Sequence, residues 1–100
     1  MWAQLIKSRV KPGKENELRL LQEEIASRSR ESGYGGIRAI NLQSQSDPSE
    51  YYTLVIFESE AVARERERSP EQEETVRRIR ECMDGMPKYT DLNVISEMSS

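Results

Sequence analysis

The amino-acid sequence predicts an α+β domain: an antiparallel sheet with helices on one face, in the order β-α-β-β-α-β. Three observations lead there. Apolar residues recur with period two in four separate segments, and at helical spacing in the two long stretches between the first and second and between the third and fourth. Turn chemistry punctuates the boundaries, at Pro12-Gly13, Gly33, Asp47-Pro48 and Gly85 with Pro87. One segment, Tyr51 to Phe57, is apolar on both of its faces.

The first strand is expected over Met1 to Val10. Trp2, Gln4, Ile6 and Ser8 fall on one face, Ala3, Leu5, Lys7 and Arg9 on the other. A helix follows from Lys14 to Ser32. Leu18, Leu21 and Ile25 make its apolar stripe, Leu20 broadens it, and Glu15 and Glu17 suit the positive end of the helix dipole. Gly33 fits a C′ stop. The run Gly33-Tyr34-Gly35-Gly36 is glycine-rich but follows a helix and precedes a strand. A phosphate cradle needs the reverse order, with amides at a helix N-terminus, so a connection is expected in which Tyr34 overhangs a pocket.

Ile37 to Gln45 reads as the second strand, with Ile37, Ala39 and Asn41 opposite Arg38, Ile40 and Leu42. Ser46-Asp47-Pro48-Ser49 is a turn. In the third strand Tyr51, Thr53, Val55 and Phe57 share one face, and Tyr52, Leu54 and Ile56 the other. A strand with one wet face would alternate with polar residues; this one needs cover on both sides. A single layer of helices supplies one. Ser59 caps a short helix to Arg68, and Ser69-Pro70-Glu71-Gln72 combines an N-cap, proline at N1 and glutamine at N3. The helix it opens runs to Met83 along Val76, Ile79 and Met83, and Tyr89 to Met98 is the last strand. Short connections and right-handed crossovers make this a single ferredoxin-like domain over residues 1–100, its third strand central beside the first. The uncovered face, with Tyr52, Leu54 and Ile56, is expected to pack on a second copy as a homodimer.

Composition narrows the chemistry. The chain has 100 residues, 15 Lys+Arg against 18 Asp+Glu, a net charge of −3 and no histidine. Without histidine, Ser-His-Asp and Cys-His catalysis, His-ligated haem and His-containing zinc sites are excluded within the chain. The lone Cys82 forms neither an internal disulfide nor a thiolate cluster and reads as a small buried hydrophobe. Acidic residues never fall in metal-loop spacing, so no metal is expected. The stretch Glu58 to Glu81 mixes both signs, and Arg77, Arg78 and Arg80 alternate with glutamates as a solvated face; no nucleic-acid partner is expected. No apolar run is long enough for a membrane span or a secretory signal, which leaves the cytoplasm as the expected compartment.

Three stretches carry a family resemblance. Val10-Lys11-Pro12-Gly13-Lys14-Glu15, then Asp47-Pro48 with Tyr52-Thr53-Leu54-Val55-Ile56-Phe57-Glu58-Ser59-Glu60, and Pro87-Lys88-Tyr89-Thr90-Asp91-Leu92 resemble the antibiotic biosynthesis monooxygenase family of dimeric α/β-barrel proteins. The resemblance implies that fold and a cofactor-independent monooxygenase acting on an aromatic, polyketide-like or quinol substrate. In such enzymes an electron-rich substrate anion reduces oxygen itself, in a dry pocket that hydrogen-bonds the developing oxyanion. Two departures matter. The family's frequent tryptophan at the end of the third strand is Phe57 here, and the histidine of the following helix has no counterpart among Arg64, Glu65, Arg66 and Glu67. The first strand has Ile6-Lys7-Ser8 where the haem-degrading pattern wants an asparagine, which disfavours that branch. The alternative reading is a non-catalytic barrel that binds a small molecule or serves as an accessory subunit.

With Phe57 in the place of the pocket tryptophan, the expected lining is Trp2 and Ile6 from the first strand, Tyr51 from the third and Met83 from the last helix, with Tyr34 above. Tyr51 is the favoured polar group, since a buried hydroxyl needs a partner or a ligand. Arg38 and Asn41 lie on opposite strand faces, so at most one of them joins the pocket. No catalytic residue is singled out.

Overall fold

The computed structural model describes the backbone of residues 1–31 and 38–98, and the side chains of all of these but 28–31. The expected Gly33 stop, the glycine-rich connection with Tyr34, and Ile37 lie outside the described residues. Seven elements follow in order: β1 (Trp2–Arg9), α1 (Glu15–Glu31), β2 (Arg38–Gln43), β3 (Glu50–Phe57), α2 (Glu60–Glu67), α3 (Pro70–Glu81) and β4 (Lys88–Asn93). The strands form one antiparallel sheet in the order β2-β3-β1-β4. This is the ferredoxin-like α+β arrangement, with the doubly apolar β3 inside the sheet.

Local chemistry sets the boundaries. The Ser59 side chain accepts from the Val62 amide and the Ser69 side chain from the Gln72 amide, so each helix of the split second segment starts on a serine cap. Pro70 occupies the first turn of α3, where its missing N–H costs nothing. Gly13 and Gly85 take φ of +86° and +88°, a turn conformation that glycine adopts without a Cβ penalty. The β2–β3 turn is stapled from a third strand. Arg9 donates to Ser49 Oγ at 2.5 Å and to Asp47 Oδ2 at 2.7 Å, and the Ser49 hydroxyl and amide both donate to Asp47 Oδ1. These bonds, those from Ser49 foremost and then that from Arg9, hold the Asp47 carboxyl down to about 2.

Register assigns the faces. Trp2, Gln4, Ile6 and Ser8 pair with Phe57, Val55, Thr53 and Tyr51, while Ala39, Asn41 and Gln43 pair with Val55, Thr53 and Tyr51. These residues face the helices. Two buried clusters join sheet to helices, one at each end. Val10, Leu18, Leu21 and Cys82 pack with Tyr51 and Ile79 at one end. Trp2, Phe57 and Ala63 pack with Val55 and Val62 at the other. The opposite face carries Ala3, Leu5, Ile40, Leu42, Tyr52, Leu54, Ile56 and Leu92, with no helix over it.

Three expectations are corrected. The last helix ends at Glu81, short of Met83, which instead forms an isolated bridge with Val10. Leu20 does not widen the α1 stripe; it is 60% exposed, because it points away from the inner side of the helix that carries Leu18, Leu21 and Ile25. The last strand stops at Asn93 rather than Met98. Its neighbour is β1, whose Trp2 pairs with Asn93, and after the bond from the Val94 amide to the Met1 carbonyl the chain leaves the ladder, with Glu97 reaching Arg38 of β2 at 2.7 Å.

Candidate functional site

Because the helices meet the sheet at its two ends, the middle rows of the helix-facing surface stay open. A cleft of about 1470 Å³ lies there. Ile6, Val55 and Phe57 form its apolar floor, and Ile25, Val76, Ile79 and Met83 contribute apolar wall from the helical side. The volume exceeds the few hundred Å³ of a tight small-molecule pocket and would admit a multi-ring ligand.

Two hydrogen-bonded groups stand out in a lining that also holds Glu67, Gln72, Glu73, Arg77 and Glu81 on the helical side. At the β2 side, Asn41 Oδ1 accepts from Gln22 Nε2 at 3.2 Å and from the Thr53 hydroxyl at 3.0 Å. Tyr51 Oη lies beside them and accepts from Gln43 Nε2 at 3.3 Å. At the β4 side, Asp91 is held between two donors, Gln4 Nε2 to Oδ1 at 3.1 Å and Arg64 Nη2 to Oδ2 at 3.0 Å. Arg64 also reaches Glu60 and Glu67, and its guanidinium lies 5.2 Å from the centroid of the Trp2 ring. A cation over an aromatic face adds attraction and excludes water from the ring.

Of the residues expected from sequence, Ile6, Asn41, Tyr51, Phe57 and Met83 line the cleft together. Trp2 does not. It is buried against Phe57, ring centroids 5.9 Å apart, beneath Ala63 and Arg64 of α2. Strand alternation puts Trp2 on the right face, but α2 sits over that end of the sheet. Arg38 is on the other face, opposite Ile56, and pairs with Glu97 at 2.7 Å, so Asn41 is the member of that pair that joins the cleft. Tyr34 lies outside the described residues. Tyr52, Leu54 and Ile56 occupy the uncovered face, half-buried. There Lys7 pairs with Glu50 at 3.1 Å and the Tyr52 hydroxyl donates to the same carboxylate, which pushes the phenol up.

Among the polar lining residues that escape the sequence reading are Gln22, Arg64 and Asp91. A signal exists for Gln22, a polar residue at helical spacing on the stripe of Leu18, Leu21 and Ile25. Asp91 shares a strand face with Tyr89 and is opposite Gln4, which requires the β1–β4 register. Cys82 is fully buried, its thiol pushed up by desolvation and donating to the Arg78 carbonyl at 3.7 Å. Burial of that kind suits packing rather than nucleophilic work. Among the described residues, no group of three or more Cys, Asp or Glu is placed to hold a metal ion, and no helix is long and apolar enough to cross a membrane.

Sheet order, one-sided helices and a partly polar cleft between them define a ferredoxin-like α+β architecture. The sequence pattern of the antibiotic biosynthesis monooxygenase family matches residues 1–78, and the chain belongs to that family. Solved structures agree on the fold. An antibiotic biosynthesis monooxygenase superposes with a TM-score of 0.79 at 12% identity, over 96% of this chain and 100% of that one. A conserved protein from Methanosarcina mazei Go1 gives 0.80 at 19% identity, over 92% and 91%. A mutant of SnoaB, a cofactor-independent oxygenase from Streptomyces nogalater, gives 0.81 at 10% identity, over 99% and 97%. Comparison with the curated proteins finds no match.

Proposed function

We propose that the chain is a cofactor-independent monooxygenase that oxidises an aromatic, polyketide-like or quinol substrate in the cleft, working as a homodimer. The observation that carries this reading is the cleft itself: an apolar floor of Ile6, Val55 and Phe57 with hydrogen-bonding groups at two sides, Asn41 and Tyr51 at one and Gln4, Arg64 and Asp91 at the other. Family membership and the likeness to SnoaB support it.

The chemistry asks little of the protein. A substrate with an acidified methylene between aromatic rings loses a proton to give a delocalised anion. One electron passes to dioxygen, the radical pair joins as a peroxide, and loss of water leaves a carbonyl. In balance, one methylene and one dioxygen give one carbonyl and one water. One oxygen atom stays on the ring carbon, and the other leaves with the two substrate hydrogens. The floor would hold the rings flat and exclude solvent, and donors on the sheet would stabilise the charged oxygen of the substrate anion. With no histidine in the chain, a carboxylate or water would take the first proton.

An oxygen electrode tests this directly with a panel of anthrones and hydroquinones, with no metal or flavin added. Uptake of one oxygen per substrate, inhibited by a non-oxidisable ring of the same shape, is the expected result. No uptake across the panel by folded protein contradicts it. The absence of histidine favours one second reading, a binding protein that performs no reaction. A ring compound that raises the melting temperature by several degrees, binds in the cleft and never turns over would establish that alternative.

The homodimer is proposed from the uncovered face. Leu5, Ile40, Leu54 and Ile56 are half-buried apolar side chains on a face that no helix covers, and a second copy of the same face would cover them. Light scattering should return twice the chain mass of 11.6 kDa. A mass of one chain at micromolar concentration contradicts the dimer.

A further inference from the structure

The amide of Asn41 is held more firmly than its exposed place on β2 would require. Its Oδ1 accepts two hydrogen bonds from two different elements, the Thr53 hydroxyl of β3 at 3.0 Å and Gln22 Nε2 of α1 at 3.2 Å. A carbonyl oxygen has two lone-pair sites, so the acceptor end is filled. That fixes the direction of the side chain. The other end, Nδ2 with its two protons, has no partner among the described residues, and Asn41 lines the cleft.

Tyr51 adds to this. It lies diagonally across from Asn41, one pair further along the β2–β3 ladder, where Gln43 is opposite it. Its hydroxyl accepts from Gln43 Nε2, and Gln43 is anchored in turn by donating to the Pro48 carbonyl at 2.9 Å. The phenolic proton is then left for an acceptor in the cleft. Neighbouring diagonal positions are about 7–8 Å apart, within reach of one ligand oxygen for side chains of this length.

We propose that Asn41 is the directional donor of the cleft, selecting ring ligands that present a carbonyl or ionised hydroxyl oxygen toward β2, and that Gln22 and Thr53 are positioning residues which act through it. The inference deepens the proposed function and rests on the cleft being the ligand site, but not on any reaction taking place there. An amide whose acceptor end is already satisfied within the protein offers a ligand only its donors. A ligand lacking an oxygen leaves Nδ2 desolvated and unpaired, and that penalty is the source of discrimination.

The test is equilibrium binding of two tricyclic probes of the same shape, 9-fluorenone and fluorene, which differ by one carbonyl oxygen. Binding is followed anaerobically by quenching of the single tryptophan, which touches Phe57 of the floor. Wild-type protein should prefer fluorenone by about tenfold, the upper range for one hydrogen bond in a site partly closed to water. Asn41→Leu should bring the ratio to about one, and Asn41→Asp, which offers only acceptors, below one. Gln22→Met and Thr53→Val should each reduce the ratio about threefold alone and not at all in the Asn41→Leu background, a non-additivity that a merely structural role would not produce. Three outcomes overturn the inference: wild-type protein that binds both probes equally or neither, an Asn41→Asp variant that keeps the preference, or positioning variants as costly without Asn41 as with it. Because the probes are compared without oxygen, the two proposals separate. A preserved preference with no oxygen uptake overturns the oxygenase and supports Asn41's role; uptake with no preference does the reverse.

Discussion

The two faces of the sheet mix polar and apolar residues to different ends. The face under the helices, where a core is expected, carries Gln4, Ser8, Asn41, Tyr51, Thr53 and Asp91 among its apolar residues. The face with no helix over it carries Leu5, Ile40, Leu42, Leu54 and Ile56 beside Lys7, Arg9, Arg38 and Glu50, with Leu42 48% and Leu92 40% exposed. Burial explains both. Polar side chains are tolerated under the helices because the two clusters at the sheet ends hold the layers together and leave a cleft between them. Apolar side chains on the other face suit the proposed subunit contact.

The largest effect should come from charging the uncovered face. Leu54→Arg places an unpaired cation in the proposed subunit contact, at a cost of roughly 3–5 kcal/mol, or more than a hundredfold in dissociation. Light scattering should then find single chains that remain folded by circular dichroism. Next comes a contrast within the helix-facing surface. Phe57→Ala removes a ring from the Trp2 and Ala63 cluster and should cost about 3–5 kcal/mol in urea unfolding, whereas Thr53→Val, on the same face of the same strand, should cost about 1 kcal/mol or less. Equal costs would mean that the cleft is core. Removing a cap from the helix that roofs the cleft is smaller again: Ser69→Ala should lower stability by about 1 kcal/mol and leave the subunit equilibrium unchanged.

The smallest effect lies in the β2–β3 turn and is a matter of pH. Asp47 has its carboxyl lowered to about 2 in the folded chain from an ordinary 3.8, so between these values the unfolded chain binds more protons. Its stabilising contribution is therefore complete above pH 4 and is lost as pH falls toward 2. Urea midpoints measured over that range should fall less steeply for Asp47→Asn than for the wild type.

Much of this is legible in the sequence, for identifiable reasons. Period two places Tyr51, Thr53, Val55 and Phe57 on one face and Tyr52, Leu54 and Ile56 on the other, and the serines at 59 and 69 mark both helix starts. What escapes depends on where one element rests on another. Alternation separates Arg38 from Asn41 but does not say which of them faces the helices. Trp2 is on the expected face yet lies under α2, whose seat over that end of the sheet no local pattern encodes. Arg64 stands in the stretch where the family's histidine has no counterpart; its reach to Asp91, 27 residues further on, is a tertiary fact.

One crystal structure with 9-fluorenone bound would test the central claim, that the two faces have separate tasks, most directly. The account predicts ring density between the sheet and the helices, over Ile6 and Phe57, with the carbonyl oxygen within hydrogen-bond distance of Asn41 Nδ2, and a second copy covering Leu54 and Ile56. Ring density on the Leu54 and Ile56 face, with the cleft holding only solvent, would contradict it.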